Sequence, residues 1–493
     1  MNATEVQQQV NACLREGRLR DAITCLDTAL QEQPQNPALL QLRAALAWQE
    51  GDLYGADDWL RKLETSQGGP TPPTDLMTVQ LCLDLLEFDR ARSALDRLFA
   101  SGMPIASYAA TAVRLLVWQG ERARALETLR AALGAEPGNP ELLSLLVTHD
   151  RNISAAELAI VTRLTETLPE NHPALTRLLF PLARYYDRIG EPDRAWTTML
   201  RANALSASRQ RQSCNMDAAA GLKTRLVTRA QTALTLASPS STSETAGDIS
   251  FLYLVGAPRT GSSLVQSILA AHTGVQSAGE RGALLPYLNK YCDSGVAALP
   301  ENFIAEVRQA DLAGLKRAGL TAPILVDKTT HNFFIAPLIA AVHRPSRFLN
   351  IVRRPQDVAL SMLFHEFPPA FPESLWLDGT IAMLEARRDI AALYRENGFD
   401  MKTVNFDAFT QAPSVIGRQI AEWAGLNWQE ETLRPERRIA AVPTFSAGQV
   451  REPITANPSD RWQRFAPFMS DQQRAAMHEL SEFGGAYGHL NVT

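Results

Sequence analysis

A short pattern of small residues recurs through the first two hundred residues at a nearly constant spacing. The pairs are Gly17 with Ala22, Gly51 with Ala56, Leu86 with Ala91, Gly120 with Ala125, and Gly190 with Ala195. Successive pairs are 34, 35, 34 and 70 residues apart, and the last step is twice 35. A fixed period in this range is typical of repeat proteins, whose units bury their apolar faces against their neighbours. This part of the chain is therefore expected to form stacked helical units.

The period resembles that of tetratricopeptide repeats, which have two helices per unit. The glycine permits a tight turn after the first helix, and the alanine lets the second helix approach closely. Apolar residues at helical spacing are expected to bury the stacked faces, for example Leu39, Leu40, Leu42 and Ala45. We therefore predict a helical solenoid over residues 1–210. Such a surface suits a peptide or protein partner, although a dimerisation arm or a stabilising scaffold would show the same pattern.

Composition limits the class of protein and its partners. A chain of 493 residues is too long for one core, and a hydrophobic content of 45% with 20% charged residues is typical of globular domains. A net charge of −5 gives no reason to expect a nucleic-acid partner. There is no apolar signal segment at the N-terminus and no apolar run of membrane-helix length. The five cysteines show no metal-ligand spacing and suit a reducing compartment, so we predict a cytoplasmic protein without a membrane partner or a metal site.

A polar segment separates the repeats from the rest of the chain. The pattern remains helical after residue 210 but loses the repeat, and Ser238–Asp248 reads SPSSTSETAGD, a composition typical of linkers. We therefore assign residues 211–248 to a helical connector with a polar linker. Residues 249–493 are assigned to a second domain.

The second domain begins with a strand, a glycine-bounded loop and a helix. Phe251–Val255 is an apolar run, Gly256–Ser263 reads GAPRTGSS, and an apolar helical pattern follows. We call Gly256–Ser263 the glycine loop. A loop of this kind places backbone N–H groups and hydroxyls at a helix N-terminus, where anions are favoured. It resembles a P-loop, but Ser262 stands where the lysine that reaches the β- and γ-phosphates would be, and Arg259 supplies the cation.

A second anion motif follows about ninety residues later in the chain. Phe348–Val352 is a short apolar strand, Arg353 comes directly after it, and Ser361 lies on the helical pattern that follows. In open α/β sheets, ligands bind outside the carboxyl ends of the strands. Arg353 and Ser361 are therefore expected to meet one anion at the same sheet edge as the glycine loop.

The order of these motifs resembles that of sulfotransferases that use 3′-phosphoadenosine-5′-phosphosulfate (PAPS). The glycine loop is followed by Gly279-Glu280, by Lys328 after an apolar strand, and by Arg353 with Ser361. Together with the repeats, this order is similar to bacterial tetratricopeptide-repeat sulfotransferases and to the related tyrosylprotein sulfotransferases. The resemblance covers residues 1–210 and 249–493. It implies an α plus α/β fold, in which the solenoid precedes a P-loop-like α/β sulfotransferase domain with a mainly parallel central sheet.

The resemblance also implies which residues hold the donor. The 5′-phosphosulfate would be held by the glycine-loop residues Arg259, Thr260, Gly261, Ser262 and Ser263. The 3′-phosphate would be held by Arg353 and Ser361, and the adenine would lie near Phe406. A C-terminal loop with Ser446, Gln449 and Arg451 would close over the nucleotide, and Arg461 would place a further cation near it. The family requires no metal.

Three residues are candidates for the chemistry itself. Sulfuryl transfer builds negative charge on the leaving phosphate, and cations near it, here Lys328 and Arg259, suit that task. The acceptor hydroxyl needs a general base, for which we assign Glu280. The tyrosylprotein branch carries a second acid directly after this position, where this chain has Arg281. His365 and Glu366 are the alternative bases.

These motifs predict a PAPS-dependent sulfotransferase acting on a hydroxyl. The helical repeats make a peptide tyrosine the first choice of acceptor, while a small-molecule, lipid or glycan hydroxyl remains an alternative. Two other classes stay open, a P-loop kinase and a catalytically silent nucleotide-binding scaffold. We expect the acceptor pocket to be built from loops, among them Pro286–Ser294 and Pro368–Leu377.

Overall fold

The computed structural model describes most of the chain as two compact units. The described residues are 3–16, 18–237, 249–282, 284–300, 302–434, 453–454 and 460–485. The units are Met1–His149 and Asp150–Thr493. The domain boundaries drawn from the sequence at residues 210 and 249 stay a prediction.

The first unit consists of helices joined by short turns. Its helices are α1 (Ala3–Arg15), α2 (Leu19–Glu32), α3 (Pro37–Gln49), α4 (Leu53–Ser66), α5 (Pro72–Leu85), α6 (Phe88–Ala100), α7 (Ala109–Trp118), α8 (Arg122–Ala135) and α9 (Pro140–His149). Sequential partners pack on each other, α1 on α2, α3 on α4, α5 on α6 and α7 on α8. Paired helices of this length are what the repeat period predicts.

The recurring glycine and alanine have the predicted roles. Gly51 and Gly120 lie in the turn between paired helices with φ of +83° and +85°, which a residue without Cβ adopts at little cost. Leu86 occupies the same position with φ of +62°, so the turn keeps its shape without glycine. The repeat alanines are at most 1% exposed, namely Ala22, Ala56, Ala91, Ala125 and Ala195. Small side chains therefore lie where the paired helices meet.

One predicted core position in α3 is wrong. Leu39 and Leu40 are buried as predicted, but Ala45 is exposed and its neighbour Ala44 is only 2% exposed. Buried positions along α3 follow the steps from Leu40 to Ala44 and Ala47, which lie on one helical face. Ala45 falls one position outside that face.

The second unit begins with four more helices. They are α10 (Ala155–Thr167), α11 (Pro173–Arg188), α12 (Pro192–Gln210) and α13 (Met216–Leu236). The turn glycine Gly190 again has a positive φ, +81°, between α11 and α12. The last of them, α13, packs against the helix at Leu377–Glu396, where Lys223 contacts Glu385 and Asp389 at 3.1 Å each. Helix α13 therefore shares a core with the sheet that follows.

The sheet of the second unit is parallel throughout its described strands. These are β1 (Ser250–Gly256), β2 (Val275–Gly279), β3 (Ile324–Asp327), β4 (Ser346–Val352) and β5 (Met401–Asn405). Their order is β2-β3-β1-β4-β5, and every pairing between neighbours is parallel. The predicted strands at Phe251–Val255 and Phe348–Val352 are β1 and β4. The predicted fold class, helical repeats followed by an α/β domain with a parallel sheet, is confirmed.

Helices cover both faces of this sheet. They are α14 (Ser262–Leu269), α15 (Leu285–Asp293), α16 (Phe303–Arg317), α17 (Ala336–Val342), α18 (Pro355–Leu363), α19 (Leu377–Glu396), α20 (Phe406–Gln411), α21 (Pro413–Ala424) and α22 (Asp471–Gly485). Along β1, Phe251 and Tyr253 join the core beneath α13, α17 and α19, while Leu252 and Leu254 join the core beneath α14 and α21. The alternation of side chains along a strand produces this division.

The segment expected as an acceptor loop at Pro286–Ser294 is instead mostly helix α15. Its proline lies in the first turn, where the missing N–H would have no helical partner in any case. None of the five cysteines forms a disulfide. In the described part of the chain, no helix has both the length and the apolar character that crossing a membrane requires.

Candidate active site

The carboxyl ends of all five strands carry predicted site residues. Each strand of a parallel sheet ends at the same edge, so residues distant in sequence meet there. The residues that follow β1 to β5 are, respectively, the glycine loop, Glu280, Lys328, Arg353 and Phe406. The parallel topology therefore places these five positions along one edge.

The glycine loop turns sharply from β1 into α14. Arg259 has φ of +72°, a left-handed backbone conformation that is unfavourable for a residue with a side chain. Gly261 also has a positive φ, +95°, and is the N-cap of α14. The Thr260 hydroxyl donates to the carbonyl of Ala257 at 2.9 Å, so it stabilises the loop itself. The strained backbone of Arg259 therefore lies at the turn of the loop.

Phe406 lies directly against the glycine loop. A Cβ built on Gly261 would overlap the Phe406 ring. The guanidinium carbon of Arg353 lies 5.5 Å from the centre of the same ring, within the range of a cation–π contact. The ring therefore contacts both the loop backbone and an arginine, at the sheet edge where the resemblance expects the adenine.

Two arginines and a serine from the separate anion motifs meet at this edge. The Nε of Arg259 donates to Ser361 Oγ at 2.8 Å, and Arg353 Nη1 donates to the Arg259 carbonyl at 3.3 Å. Arg353 Nε is buried without a hydrogen-bond partner among the described residues, and Asp407 Oδ1 lies 3.7 Å from it. Burial and the nearby charges of Arg353 and Arg461 lower the pKa of Arg259 to about 10. An anion here would satisfy the orphan donor and offset the repulsion.

Glu280 and Lys328 form an ion pair beside this cluster. The Lys328 ammonium donates to Glu280 Oε1. The Lys328 side chain is only 3% exposed, whereas that of Glu280 is 53% exposed. The pair thus joins a buried cation to a carboxylate that solvent or a substrate can reach.

Arg281 leads away from the edge into a buried polar network. It donates two hydrogen bonds to Asp311, at 3.1 and 2.6 Å. His343 Nε2 lies 3.2 Å from Asp311 Oδ2, and His343 Nδ1 bonds the Tyr253 hydroxyl. Burial raises the pKa of Asp311, but the His343 and Arg281 contacts outweigh it and hold that pKa below its usual value. The carboxylate is therefore ionised, and Arg281 is anchored in the interior rather than directed at a substrate.

The alternative bases have different surroundings from Glu280. The Nδ1 of His365 bonds the Ser361 carbonyl at 2.6 Å. Burial and the charges of Arg259 and Arg184 place the pKa of His365 well below 6.5, so its imidazole is neutral at pH 7. Glu366 Oε1 accepts a hydrogen bond from Thr176 of α11 at 3.2 Å. Glu366 is thus tied to α11, and His365 to the last turn of α18.

The structure describes some, but not all, of the remaining residues predicted to bind the donor. Ser262 and Ser263 are in the first turn of α14 and are 5% and 7% exposed. The Nε of Arg461 donates to Asp187 of α11 at 2.6 Å, and its guanidinium lies over the Phe364 ring at 4.9 Å. Ser446, Gln449 and Arg451 lie outside the described residues.

Some neighbours of the site were absent from the sequence-based assignment. Asp407, directly after Phe406, accepts the backbone N–H of Arg354 at 2.8 Å. Arg184 of α11 donates to the Phe364 carbonyl at 2.9 Å. The sequence could have indicated Asp407 as a site residue, because it lies shortly after the end of β5. Nothing in the repeat pattern distinguishes Arg184 from the other arginines of the helices. The described residues contain no group of three or more His, Cys, Asp or Glu side chains that could hold a metal ion.

Comparison with known proteins is consistent with this geometry. Residues 252–430, which span the motifs from β1 to beyond β5, match the sequence model of the sulfotransferase family. A putative protein-tyrosine sulfotransferase of Caenorhabditis briggsae is 24% identical over 265 residues, which is 48% of this chain and 88% of that protein. An uncharacterized protein of Aquifex aeolicus is 22% identical over 247 residues, which is 44% of this chain but only 31% of that protein.

Two solved structures align at 16% identity. The sulfotransferase domain from the curacin biosynthetic pathway has a TM-score of 0.31, covering 47% of this chain and 98% of that one. PilW, a type IV pilus biogenesis factor, has a TM-score of 0.34, covering 41% of this chain and 92% of that one. On the strength of the family match to residues 252–430, the C-terminal half of the chain contains a sulfotransferase-family domain.

Proposed function

We propose that this protein is a sulfotransferase that takes the sulfuryl group from PAPS. The observation that carries the proposal is the meeting of Arg259, Ser361 and Arg353 beside the glycine loop. Unlike ATP, this donor carries a 3′-phosphate in addition to its 5′-phosphosulfate, so it requires a second anion site in addition to a phosphate loop. Arg353 and Ser361, which contact the glycine loop through Arg259, are proposed to form that second site.

The residues present fit this donor. The buried Nε of Arg353 lies 3.7 Å from Asp407 Oδ1 but has no hydrogen-bond partner among the described residues, so it suits a phosphate oxygen. The Phe406 ring keeps an aromatic surface for adenine, although it lacks a tyrosine hydroxyl. Thr260, Gly261, Ser262 and Ser263 begin a helix whose N-terminus favours the 5′-phosphosulfate. Arg461 would add a cation, and Ser446, Gln449 and Arg451 are proposed for the closing loop from the resemblance alone.

Glu280 and Lys328 would divide the chemistry between them. The bound donor supplies an activated sulfuryl group, which an acceptor hydroxyl attacks. Glu280, the exposed member of the pair, would take the proton of that hydroxyl, and the buried Lys328 would oppose the charge on the leaving phosphate. Arg259 would add a second cation at the phosphate. A lysine paired with a carboxylate before reaction is also held in a defined position.

We propose a tyrosine hydroxyl of a peptide or protein as the acceptor. Three observations support it: the resemblance to tyrosylprotein sulfotransferases, the similarity to a putative protein-tyrosine sulfotransferase of Caenorhabditis briggsae, and the helical repeats that precede the domain. The difference at Arg281, which is committed to Asp311, means that the base must be supplied by a residue other than the one at that position. A small-molecule, lipid or glycan hydroxyl would use the same donor site.

Calorimetric binding of nucleotides tests the donor. Adenosine 3′,5′-bisphosphate is compared with ADP and with ATP plus Mg²⁺, for the wild type and for Arg353→Ala. We expect tight binding only of the 3′-phosphorylated nucleotide, and its loss in the variant. Preference for ATP with Mg²⁺ would identify a kinase and overturn the proposal. Binding of adenosine 3′,5′-bisphosphate without any transfer to hydroxyl acceptors would identify a silent scaffold.

A further inference from the structure

Helix α11 of the helical region contacts the end of the helix that carries Ser361. Helix α18 ends at Leu363, and Arg184 Nη1 donates to the carbonyl of the next residue, Phe364, at 2.9 Å. Ser361, which accepts the hydrogen bond from Arg259, lies three residues earlier. Residues three apart on a helix are neighbours on its surface. Arg184 therefore reaches within about one turn of the Arg259–Ser361 pair.

Helix α11 also positions a second arginine, Arg461, near Phe364. Asp187, one turn after Arg184, accepts hydrogen bonds from Arg461 at 2.6 Å and from Arg464 at 2.8 Å. Arg461 in turn lies over the ring of Phe364, the residue whose carbonyl Arg184 contacts. Helix α11 thus provides one cation directly and positions another through a carboxylate.

The charges of these groups are close enough to affect one another. Burial and the positive charges of Arg259, Arg461 and Arg188 lower the pKa of Arg184 to about 10, and Glu366 opposes this shift. Glu366 accepts a hydrogen bond from Thr176, and Asp187 pairs with two other arginines. Like charges held together in a partly desolvated place repel each other, and a polyanion bound among them would replace that repulsion with attraction.

We propose that Arg184 is part of the donor-binding site, so that helix α11 supplies a cation to the 3′-phosphate that Ser361 and Arg353 hold beside Arg259. This inference rests on the proposed function, because the polyanion is a 3′-phosphorylated nucleotide. The helical region then does more than offer a surface to a partner. The anion site of the α/β domain is incomplete without it, and a fragment starting after residue 210 would lack one of its cations.

A purely structural role for Arg184 can be distinguished from a role of its charge, because an uncharged residue makes a similar contact. Asn203 of α12 donates its side-chain amide to the Leu363 carbonyl at 2.9 Å, next to the carbonyl that Arg184 contacts. Both residues donate hydrogen bonds to carbonyls at the C-terminal end of α18, where no N–H group of the helix is available to bond them. Only Arg184 carries charge. If capping were its only role, removing either residue would have the same effect on donor binding.

The test compares calorimetric affinities for adenosine 3′,5′-bisphosphate at two salt concentrations. The variants of the full chain are Arg184→Gln, Asn203→Ala and Arg163→Gln, the last removing an exposed arginine of the neighbouring helix α10. We expect Arg184→Gln to weaken binding about ten-fold or more, as for a lost hydrogen bond to a charged group, and to reduce the salt dependence. Asn203→Ala and Arg163→Gln should bind within about two-fold of wild type and keep its salt dependence.

Wild-type affinity for adenosine 3′,5′-bisphosphate in Arg184→Gln would overturn the inference. It would also be overturned if Asn203→Ala lost as much affinity as Arg184→Gln and both variants kept the wild-type salt dependence. Arg184→Lys guards against misfolding of the glutamine variant, since it keeps the charge. It should keep the wild-type salt dependence, and a lysine variant that loses it would contradict the charge role. If wild type itself prefers ATP with Mg²⁺, the proposed function fails. If wild type binds the 3′-phosphorylated nucleotide and Arg184→Gln binds it equally well, only this inference fails.

Discussion

Arg259 and Ser361, 102 residues apart in the sequence, are joined by a hydrogen bond of 2.8 Å from the arginine Nε to the serine hydroxyl. Arg259 belongs to the loop after β1, and Ser361 belongs to the helix after β4. Because β1 and β4 are adjacent parallel strands, their carboxyl ends bring the loop and the helix together. The two anion motifs are therefore adjacent, as neighbouring phosphate subsites of one nucleotide would require.

Replacing Ser361 with alanine should weaken binding of adenosine 3′,5′-bisphosphate by about ten-fold, because the hydrogen bond between the Ser361 hydroxyl and a charged phosphate is lost. Calorimetry measures the change. The matched control is Ser267→Ala on α14, whose hydroxyl bonds only the Leu264 carbonyl of its own helix at 2.7 Å, and it should leave affinity unchanged. Equal affinities for the two variants would mean that Ser361 does not hold a phosphate.

Replacing Gly261 with alanine should destabilise the fold and abolish nucleotide binding. The residue has φ of +95°, and its new Cβ would overlap the Phe406 ring. Gly319→Ala is the control, since it has φ of +69° but open space around a Cβ. We expect Gly319→Ala to lower the free energy of unfolding by about 1 kcal/mol. Gly261→Ala should lower it by about 1–3 kcal/mol more, because packed atoms must shift. Urea unfolding measures both, and equal losses would show that Phe406 does not press on the loop.

Replacing Asp311 with asparagine should destabilise the protein by about 3–5 kcal/mol, because Arg281 and His343 would keep buried polar groups without their anion. Asp311 is only 8% exposed. Asp293→Asn removes the partner of Arg229 in a pair whose carboxylate is 55% exposed. That control should change the free energy of unfolding by less than about 1 kcal/mol. Similar losses in both variants would contradict the anchoring role of Asp311.

The half-buried His365 should make the protein sensitive to mild acid. Its pKa is well below the unfolded value of 6.5, because burial and nearby arginines disfavour the charged ring. The unfolded chain therefore binds a proton near pH 6.5 before the folded chain does. The resulting stability is fully present above pH 6.5 and is lost as pH falls towards the folded pKa.

His365→Gln should consequently lose less stability than wild type between pH 7.5 and pH 5.5. The measurement is the free energy of unfolding from urea titrations at both pH values. His478→Gln is the control, because the His478 side chain is 77% exposed, and it should follow the wild-type profile. If His365→Gln also followed that profile, His365 would titrate normally in the folded protein.

The sequence predicts the parts of the fold that depend on local pattern. The repeat turns, the buried alanines, β1 and β4 follow from glycine position, side-chain size and apolar periodicity, and the structure confirms them. Ala45 is wrong because a one-residue shift along a helix turns a side chain by about 100°. The loop predicted at Pro286–Ser294 is wrong, because proline is accepted in the first turn of a helix such as α15.

The parts of the site that depend on tertiary contact could not be predicted. The position of Phe406 over Gly261 requires β5 to lie beside β4, which no local pattern specifies. Arg184 belongs to a helix whose sequence pattern predicts only stacking. Its contact with Phe364 spans 180 residues. Asp311 in the middle of α16 and His343 just after α17 likewise meet only in the folded chain, where His343 Nε2 lies 3.2 Å from Asp311 Oδ2.

Transfer of labelled sulfur from PAPS to a tyrosine-containing peptide tests the central claim most directly. Wild type is compared with Glu280→Gln and with Glu396→Gln, an exposed residue at the end of α19. We expect transfer by wild type and by Glu396→Gln. Glu280→Gln should lose about 10²–10⁴-fold in turnover, with nucleotide affinity retained. Full turnover in Glu280→Gln, or consumption of ATP with Mg²⁺ and none of PAPS, would contradict the claim.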